Sequence, residues 1–225
     1  MWNTMMRSNN GGVFMFTKSV MIPKHKMIYV NEGITVREAL DRLNAHHIDG
    51  MPVLSRDRYI GLITKHAIYE AAFHSDLPRD EFLDQVKVET IAIKKNLMVD
   101  ETDVFEDTLL KVEDVPLVPV VDESGRCLGI VTRFDVLEQF QSVFGMNKNG
   151  VRIVMSTVET EGRILRLSEI VKQFHQNIIV LTTFDDSDKL VRRIVIKVED
   201  GNDTDRFIER LEQNGFKILS VKKTD

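Results

Sequence analysis

Apolar residues follow a helical period and then a strand period along the first two thirds of the chain, and the sequence of periods occurs twice. Residues 27–30 predict a short strand. Thr35 and Glu38 then stand in Thr-x-x-Glu spacing, the pattern of a capping box. Val36, Ala39, Leu40 and Leu43 follow at a 3.6-residue period and predict a helix to about Ala45. Residues 50–54 and 59–64 predict strands around a polar turn, with a helix to about Phe73 behind them. Residues 74–85 are polar, contain Pro78 and predict a linker that turns helical at its end.

The same grammar returns. Residues 97–99 predict a strand. Asp103-x-x-Glu106 opens a helix with Val104, Phe105, Leu109 and Val112 inward. Residues 117–121 and 126–132 predict strands around the turn at 122–125. A helix runs from Arg133 to about Phe144, where Gly145 suits its end.

After a polar link at 147–150 the order changes. It reads strand (152–157), helix (Ile164, Leu167, Val171, Phe174), strand (178–184), strand (190–198), helix (Phe207, Ile208, Leu211), strand (216–221). This is the ferredoxin-like succession. Residues 1–15 have no period and lack the apolar segment of a secretory signal. They are expected to be a flexible leader, or to precede a true start at Met15.

The repetition is also literal. Residues 61–67 read Gly-Leu-Ile-Thr-Lys-His-Ala and residues 129–135 read Gly-Ile-Val-Thr-Arg-Phe-Asp, an offset of 129 − 61 = 68. Met51-Pro52-Val53-Leu54 and Val118-Pro119-Val120-Val121 precede them. A repeat of this length sets the architecture before any single residue is read. The copies differ at their last position, Ala67 against Asp135.

Composition removes several classes of function. A net charge of −5 gives no basic face for nucleic acid. No apolar run reaches the ~20 residues of a membrane span. The single cysteine, Cys127, lies in a strand-like apolar run, which implies a buried thiol and a reducing compartment. No CxxC or HExxH spacing suggests a metal. His46 and His47 are adjacent and point about 100° apart on a helix, so they do not share an ion. No pairing of acid and base predicts catalytic residues or an enzyme.

The repeated Pro-Val and Gly-hydrophobic-hydrophobic-Thr elements resemble a tandem CBS-domain module spanning residues 16–145. Residues 151–223 resemble an ACT or ACT-like domain, through strand order and Gly162 in the segment 159–165. The whole is similar to bacterial CBS–CBS–ACT proteins, including the acetoin-utilisation regulator family. The resemblance implies a mixed α/β (α+β) fold. Two β-α-β-β-α repeats, 16–75 and 85–145, would pair about a pseudo-two-fold axis. A ferredoxin-like βαββαβ domain would follow at 151–225. It further implies a cytoplasmic signalling protein that forms a homodimer and acts on a protein partner. Its ligand would be an adenosine compound: AMP, ADP, ATP, S-adenosylmethionine or cyclic di-AMP. The nucleotide would be a regulatory ligand, and no cofactor is expected.

On that resemblance Asp135 meets the ribose diol, since one carboxylate accepts from both hydroxyls. Thr132 and Arg133 meet phosphate, where free helix amides and a guanidinium fork favour an anion. Adenine rests near Met98, Val118 and Pro119. Thr132-x-x-Asp135 equally reads as a helix cap with an acidic third residue, and the two roles are compatible. In the first copy Ala67 cannot accept a ribose hydroxyl. Thr64, Lys65 and His66, with Met51 and Pro52, leave a weaker cleft that is empty, weakly filled or served by another acceptor. One nucleoside per chain is therefore expected. Glu161, Gly162, Arg163 and Ile164 form a possible effector loop for an amino acid, although an ordinary turn also explains Gly162. The alternative to a sensor is a dimeric scaffold with no small ligand.

Overall fold

The structure is a computed structural model in which residues 17–158, 161–186 and 191–224 are described. The leader expected at 1–15 lies outside the described residues. The chain divides into two compact units, one ending at Leu137 and the other beginning at Glu138.

The first unit contains β1 (Ile22–Pro23), β2 (Val30–Asn31), α1 (Val36–Ala45), β3 (Gly50–Ser55), β4 (Arg58–Thr64) and α2 (Lys65–Phe73). Then come α3 (Arg79–Gln85), α4 (Val88–Ile91), β5 (Val99–Asp100), α5 (Phe105–Lys111), β6 (Leu117–Val121), β7 (Cys127–Thr132) and the start of α6 (Arg133–Val143). One sheet has the order β2-β3-β4 and the other β1-β7-β6-β5. Each holds a parallel pair, Val30 beside Val53 and Val99 beside Val120. Each also holds an antiparallel hairpin, Met51 beside Ile63 and Val118 beside Val131. The sequence repeat is thus a structural repeat.

The repeats are not closed units, because each borrows an edge from outside its own span. β1, at the start of the first repeat, pairs with β7 of the second, Ile22 beside Ile130 and Pro23 beside Gly129. Ile93, at the start of the second repeat, bridges Leu62 of β4 in the first through bonds of 2.8 and 2.9 Å. Position 129 must be glycine for this exchange: a Cβ there would collide with the Ile22 carbonyl oxygen.

Helix α1 starts as its sequence dictates. The Glu38 amide donates to the Thr35 hydroxyl at 3.2 Å, and the Thr35 amide donates to the Glu38 carboxylate at 2.7 Å. Val36, Ala39, Leu40 and Leu43 are buried. The strand expected at 27–30 shortens to Val30–Asn31, because the amides of Lys26 and Met27 turn back onto the Pro23 carbonyl.

The segment expected at 74–85 does turn helical at its end, as α3, and that end is part of the core. Pro78 caps α3 rather than breaking it, and Phe82 and Leu83 pack into one cluster with Leu40, Leu43 and Ile68. Arg37 of α1 holds α3 through Asp80, at 3.0 Å, and Asp84. A seven-residue helix with two inward apolar residues carries too little periodicity to stand out from a polar stretch. The inward face expected for α5 is corrected. The Asp103 carboxylate accepts from the Asp100 amide at 3.0 Å instead of capping the helix, so α5 begins only at Phe105. The later start turns the buried face to Phe105, Thr108 and Val112, and leaves Val104 and Leu109 46% and 38% exposed.

Cys127 is buried with its thiol on the Gly129 carbonyl at 3.4 Å, and burial raises its pKa to about 11. Iodoacetamide at pH 8 is therefore expected to leave the folded thiol unmodified and to react quickly in denaturant; equal rates by mass spectrometry would contradict this burial.

Four carboxylates of this unit are held below the ordinary range by what they accept. Asp122 takes the Ser124 hydroxyl at 2.6 Å, then the Arg126 amide at 2.9 Å. Asp84 takes Arg37, Asp100 takes the Thr102 hydroxyl, and Glu38 takes the Thr35 amide. A carboxylate depressed in the folded state adds stability above its unfolded pKa, ~4, and loses it as pH falls through the folded value. Denaturant midpoints followed by circular dichroism should therefore hold steady from pH 7 to about 5 and fall below ~4. A midpoint that rises below pH 4 would reverse the sign.

The second unit contains the rest of α6, β8 (Gly150–Val158), α7 (Arg163–Gln173), β9 (Ile178–Asp186), β10 (Val191–Val198), α8 (Thr204–Gln213) and β11 (Lys217–Thr224). The sheet order β11-β8-β10-β9, antiparallel throughout, is ferredoxin-like. Val151, Ile153 and Met155 alternate inward from β8 onto Leu167 and Ile170 of α7 and Phe207 and Leu211 of α8. Lys197 of β10 is buried, and its ammonium donates to the Gly145 carbonyl at 3.0 Å, supplying a cation where α6 ends.

Candidate functional site

The second copy of the motif occupies the junction of β7 and α6. Thr132 sits opposite Leu117 across the hairpin, where the strand hands over to the helix. Its hydroxyl accepts the Asp135 amide at 3.2 Å. In return the Asp135 carboxylate accepts the Thr132 amide at 3.0 Å and the Thr132 hydroxyl at 2.5 Å. This is a reciprocal cap with aspartate at the third helical position, and both residues are part-buried. Spacing in the sequence foretold the cap, and it draws on the carboxylate expected to meet a ribose.

The first copy caps with the hydroxyl alone. Thr64 accepts the Ala67 amide at 3.0 Å, and Thr64 and Ala67 are both buried. Lys65 reaches Asp49 at 3.5 Å, while the exposed His66 faces Glu70 at 3.9 Å. Met51 and Pro52 are buried in β3. The residues named for a second cleft are thus divided between core and surface.

Arg133, expected to meet phosphate, turns its Nε and Nη2 to backbone carbonyls. Its Nε donates to the Val112 carbonyl at 3.1 Å, and its Nη2 to the carbonyls of Glu113 at 3.1 Å and Val115 at 3.0 Å. These donors fasten the α5–β6 loop to the start of α6. Arg133 also borders an apolar groove of about 400 Å³ with Leu109, Leu110, Val112, Glu113, Val136 and Leu137.

Met98, Val118 and Pro119 do come together. The parallel ladder starts at Val99 beside Val120, so Pro119 lies one step and Val118 two steps outside it, on the side of Met98. Val118 and Pro119 are buried and Met98 is half-buried. The Met98 carbonyl already accepts from Lys111 Nζ at 2.9 Å.

In the second unit the expected loop residues Glu161, Gly162, Arg163 and Ile164 line a cavity of about 490 Å³, together with Thr157, Leu165 and Arg192. Gly162 is the left-handed cap residue of α7, with φ of 79° and open space around it. Glycine is there for its backbone angle, not for a close approach. Arg163 turns elsewhere: Nη2 donates to the Gly215 carbonyl at 2.8 Å, and the guanidinium lies 4.4 Å from the Phe216 ring centre. Arg192 carried no signal in the sequence. It joins the cavity because β10 sets it opposite Thr157 of β8. Among the described residues no group of histidine, cysteine or carboxylate side chains is arranged to hold a metal, and no helix is long and apolar enough to cross a membrane.

Two sheets of one pattern, each ending in a threonine-capped helix, define a duplicated α/β module. The CBS domain family pattern matches residues 18–74 and 88–142. The chain is 32% identical over 117 residues to a CBS domain-containing protein of Dictyostelium discoideum, an overlap of 48% of this chain and 81% of that one. The chain belongs to the CBS domain family. It is 29% identical over 117 residues to inosine-5'-monophosphate dehydrogenase of Methanocaldococcus jannaschii, but spans only 21% of that enzyme's length. Among solved structures, a CBS domain-containing protein of Bacillus anthracis superposes with a TM-score of 0.51 at 29% identity, covering 57% of this chain and 95% of that one. The CbpB protein of Listeria monocytogenes, in complex with c-di-AMP, superposes with a TM-score of 0.50 at 28% identity, covering 56% and 95%.

Proposed function

We propose that this chain is a regulatory protein, not an enzyme, and that it senses an adenosine-containing nucleotide in its tandem CBS module. The observation that carries the reading is the asymmetry of the duplicated cap: only the second copy holds a carboxylate beside its threonine hydroxyl. The c-di-AMP carried by the Listeria protein supports an adenine nucleotide as the ligand class. In this reading Asp135 contacts ribose, Thr132 contacts phosphate, and adenine lies against the backbone near Met98, Val118 and Pro119. Arg133 positions the helix start through the loop it fastens. The first copy has no such acceptor at Ala67 and contributes a weak cleft or none.

Binding shifts the arrangement of the repeats only by its differential affinity for two arrangements. The readout is altered contact with a protein partner. The exposed Leu181, Phe184, Leu219 and Val221 of β9 and β11 support a homodimer formed through the second unit. The buried lone thiol fits a reducing cytoplasm. The test is a thermal-shift panel of AMP, ADP, ATP, S-adenosylmethionine and cyclic di-AMP. Ligand at 100 times its Kd adds about 2.7 kcal/mol, a readily seen shift. No shift with any of them would favour the scaffold.

The cavity beside Gly162 supports a second reading, in which the ferredoxin-like unit is an ACT-type domain that binds an amino acid. Kinship with acetoin-utilisation regulators belongs to the same reading and is supported by domain order. An amino-acid panel should then shift the melting of the intact chain, and Arg192→Ala should remove that shift. A panel without effect would dismiss this reading.

A further inference from the structure

In the second unit α7 and α8 lie on the face of the sheet to which Ile153, Met155, Ile194 and Ile196 point. Strand residues alternate between faces, so Arg152, Val154 and Ser156 of β8 stand on the opposite one. The cations of the sheet are sorted by face. On the helix side Arg192 pairs with Asp185 at 3.1 Å, and Lys223 with Asp200 at 3.2 Å. On the opposite side Lys222 stands directly across from Arg152, and Arg152 directly across from Lys197. Three cations thus form one row over three neighbouring strands.

Lys197 is buried and held by the Gly145 carbonyl. Arg152 and Lys222 are exposed, as is Lys217, which stands across from Ser156 four residues further along β8. No ion pair joins these three to any described residue. Between the two levels Val154 is flanked by Ser220 and Val195, and both valines are half-buried. Among the described side chains at the strand positions of this face none is a carboxylate.

Like charges set opposite one another on adjacent strands work against the pairing. An anion laid over the row removes that repulsion. Four residues of β-strand span about 13 Å, and an extended peptide has the same rise. Carboxylates at i and i+4 of such a peptide therefore reach both levels of positive charge. The side chain at i+2 falls on Val154 and Val195. A single nucleic acid strand asks instead for aromatic platforms under its bases, and the central strands offer Val154, Ser156 and Val195 at those places.

We infer that this open sheet face docks an acidic segment of a partner protein, with carboxylates four residues apart on either side of an apolar residue. This gives a chemistry to the partner of the regulatory reading. It does not need the nucleotide, and its test is made without one.

The probe is a fluorescein-labelled peptide, Glu-Glu-Ser-Leu-Ser-Glu-Glu, titrated with the full chain and followed by anisotropy. Saturable binding is expected, weakened tenfold or more in the Arg152→Glu, Lys222→Glu double variant and by added salt. No binding, equal binding of the peptide with glutamine for glutamate, or an unaffected double variant would overturn the inference. Tighter binding of an oligothymidylate would overturn it in favour of nucleic acid. A second measurement is hydrogen exchange on Arg152→Gln, which breaks the row at its centre. At low salt the amides of β8 and β11 should exchange about two- to fivefold more slowly than in the parent chain, a difference that salt removes. Faster or unchanged exchange would show that the row carries no repulsion for an anion to relieve, and would equally sink the proposal.

Discussion

Asp135→Ala should cost the chain its nucleotide while leaving it folded. The carboxylate is asked to do two things whose magnitudes differ. As a cap partner it accepts from the Thr132 amide and hydroxyl at the part-buried start of a helix, and losing such a cap costs about 1 kcal/mol. As a ribose acceptor it makes charged hydrogen bonds worth about 1.5–3 kcal/mol each, an affinity loss of roughly 10- to 100-fold. Binding should therefore fall much further than the melting temperature. Asp135→Asn separates the roles, because the amide oxygen still accepts the Thr132 amide but carries no charge. It should keep most of the stability and lose most of the affinity, as read by calorimetric titration beside thermal melts. Full affinity in Asp135→Ala would reduce the motif to a helix cap.

Phe82→Ala should destabilise the first unit by about 3–5 kcal/mol, the cost of emptying a filled aromatic site in a core. The residue lies in a stretch whose sequence reads as a linker, yet it is 3% exposed and packed with Leu40, Leu43 and Ile68. Phe73, a few residues earlier, is 85% exposed. Its replacement by alanine should stay within about 0.5 kcal/mol. Urea denaturation of the two variants side by side makes the comparison. Equal small effects would mean that α3 is not part of the core.

These two sites show what was legible. The duplicated Gly-hydrophobic-hydrophobic-Thr element announced both hairpins and both capped helices, because strand period, turn and cap each leave a mark on residue type. The order of elements after residue 150 announced the ferredoxin-like sheet for the same reason. What escaped was decided by partners distant in sequence. β1 is two residues long and finds β7 only in the folded chain. The register of α5 turned on one side chain, since Asp103 serves the Asp100 amide rather than the helix.

The candidate site shows the same division. Thr132 and Asp135 meet because their spacing requires it. That Arg133 also donates to three backbone carbonyls was not legible, because a carbonyl is offered by every residue alike. Arg192 reaches its cavity through strand pairing that no local pattern records.

The most direct measurement is calorimetric titration of the intact chain with cyclic di-AMP, AMP, ATP and S-adenosylmethionine. Saturable binding of at least one of them is expected, at one nucleoside per chain and weakened roughly 10- to 100-fold in Asp135→Ala. No heat from any of the four, with the chain folded and its melting temperature unmoved, would contradict the sensor and leave a duplicated module built to hold its shape.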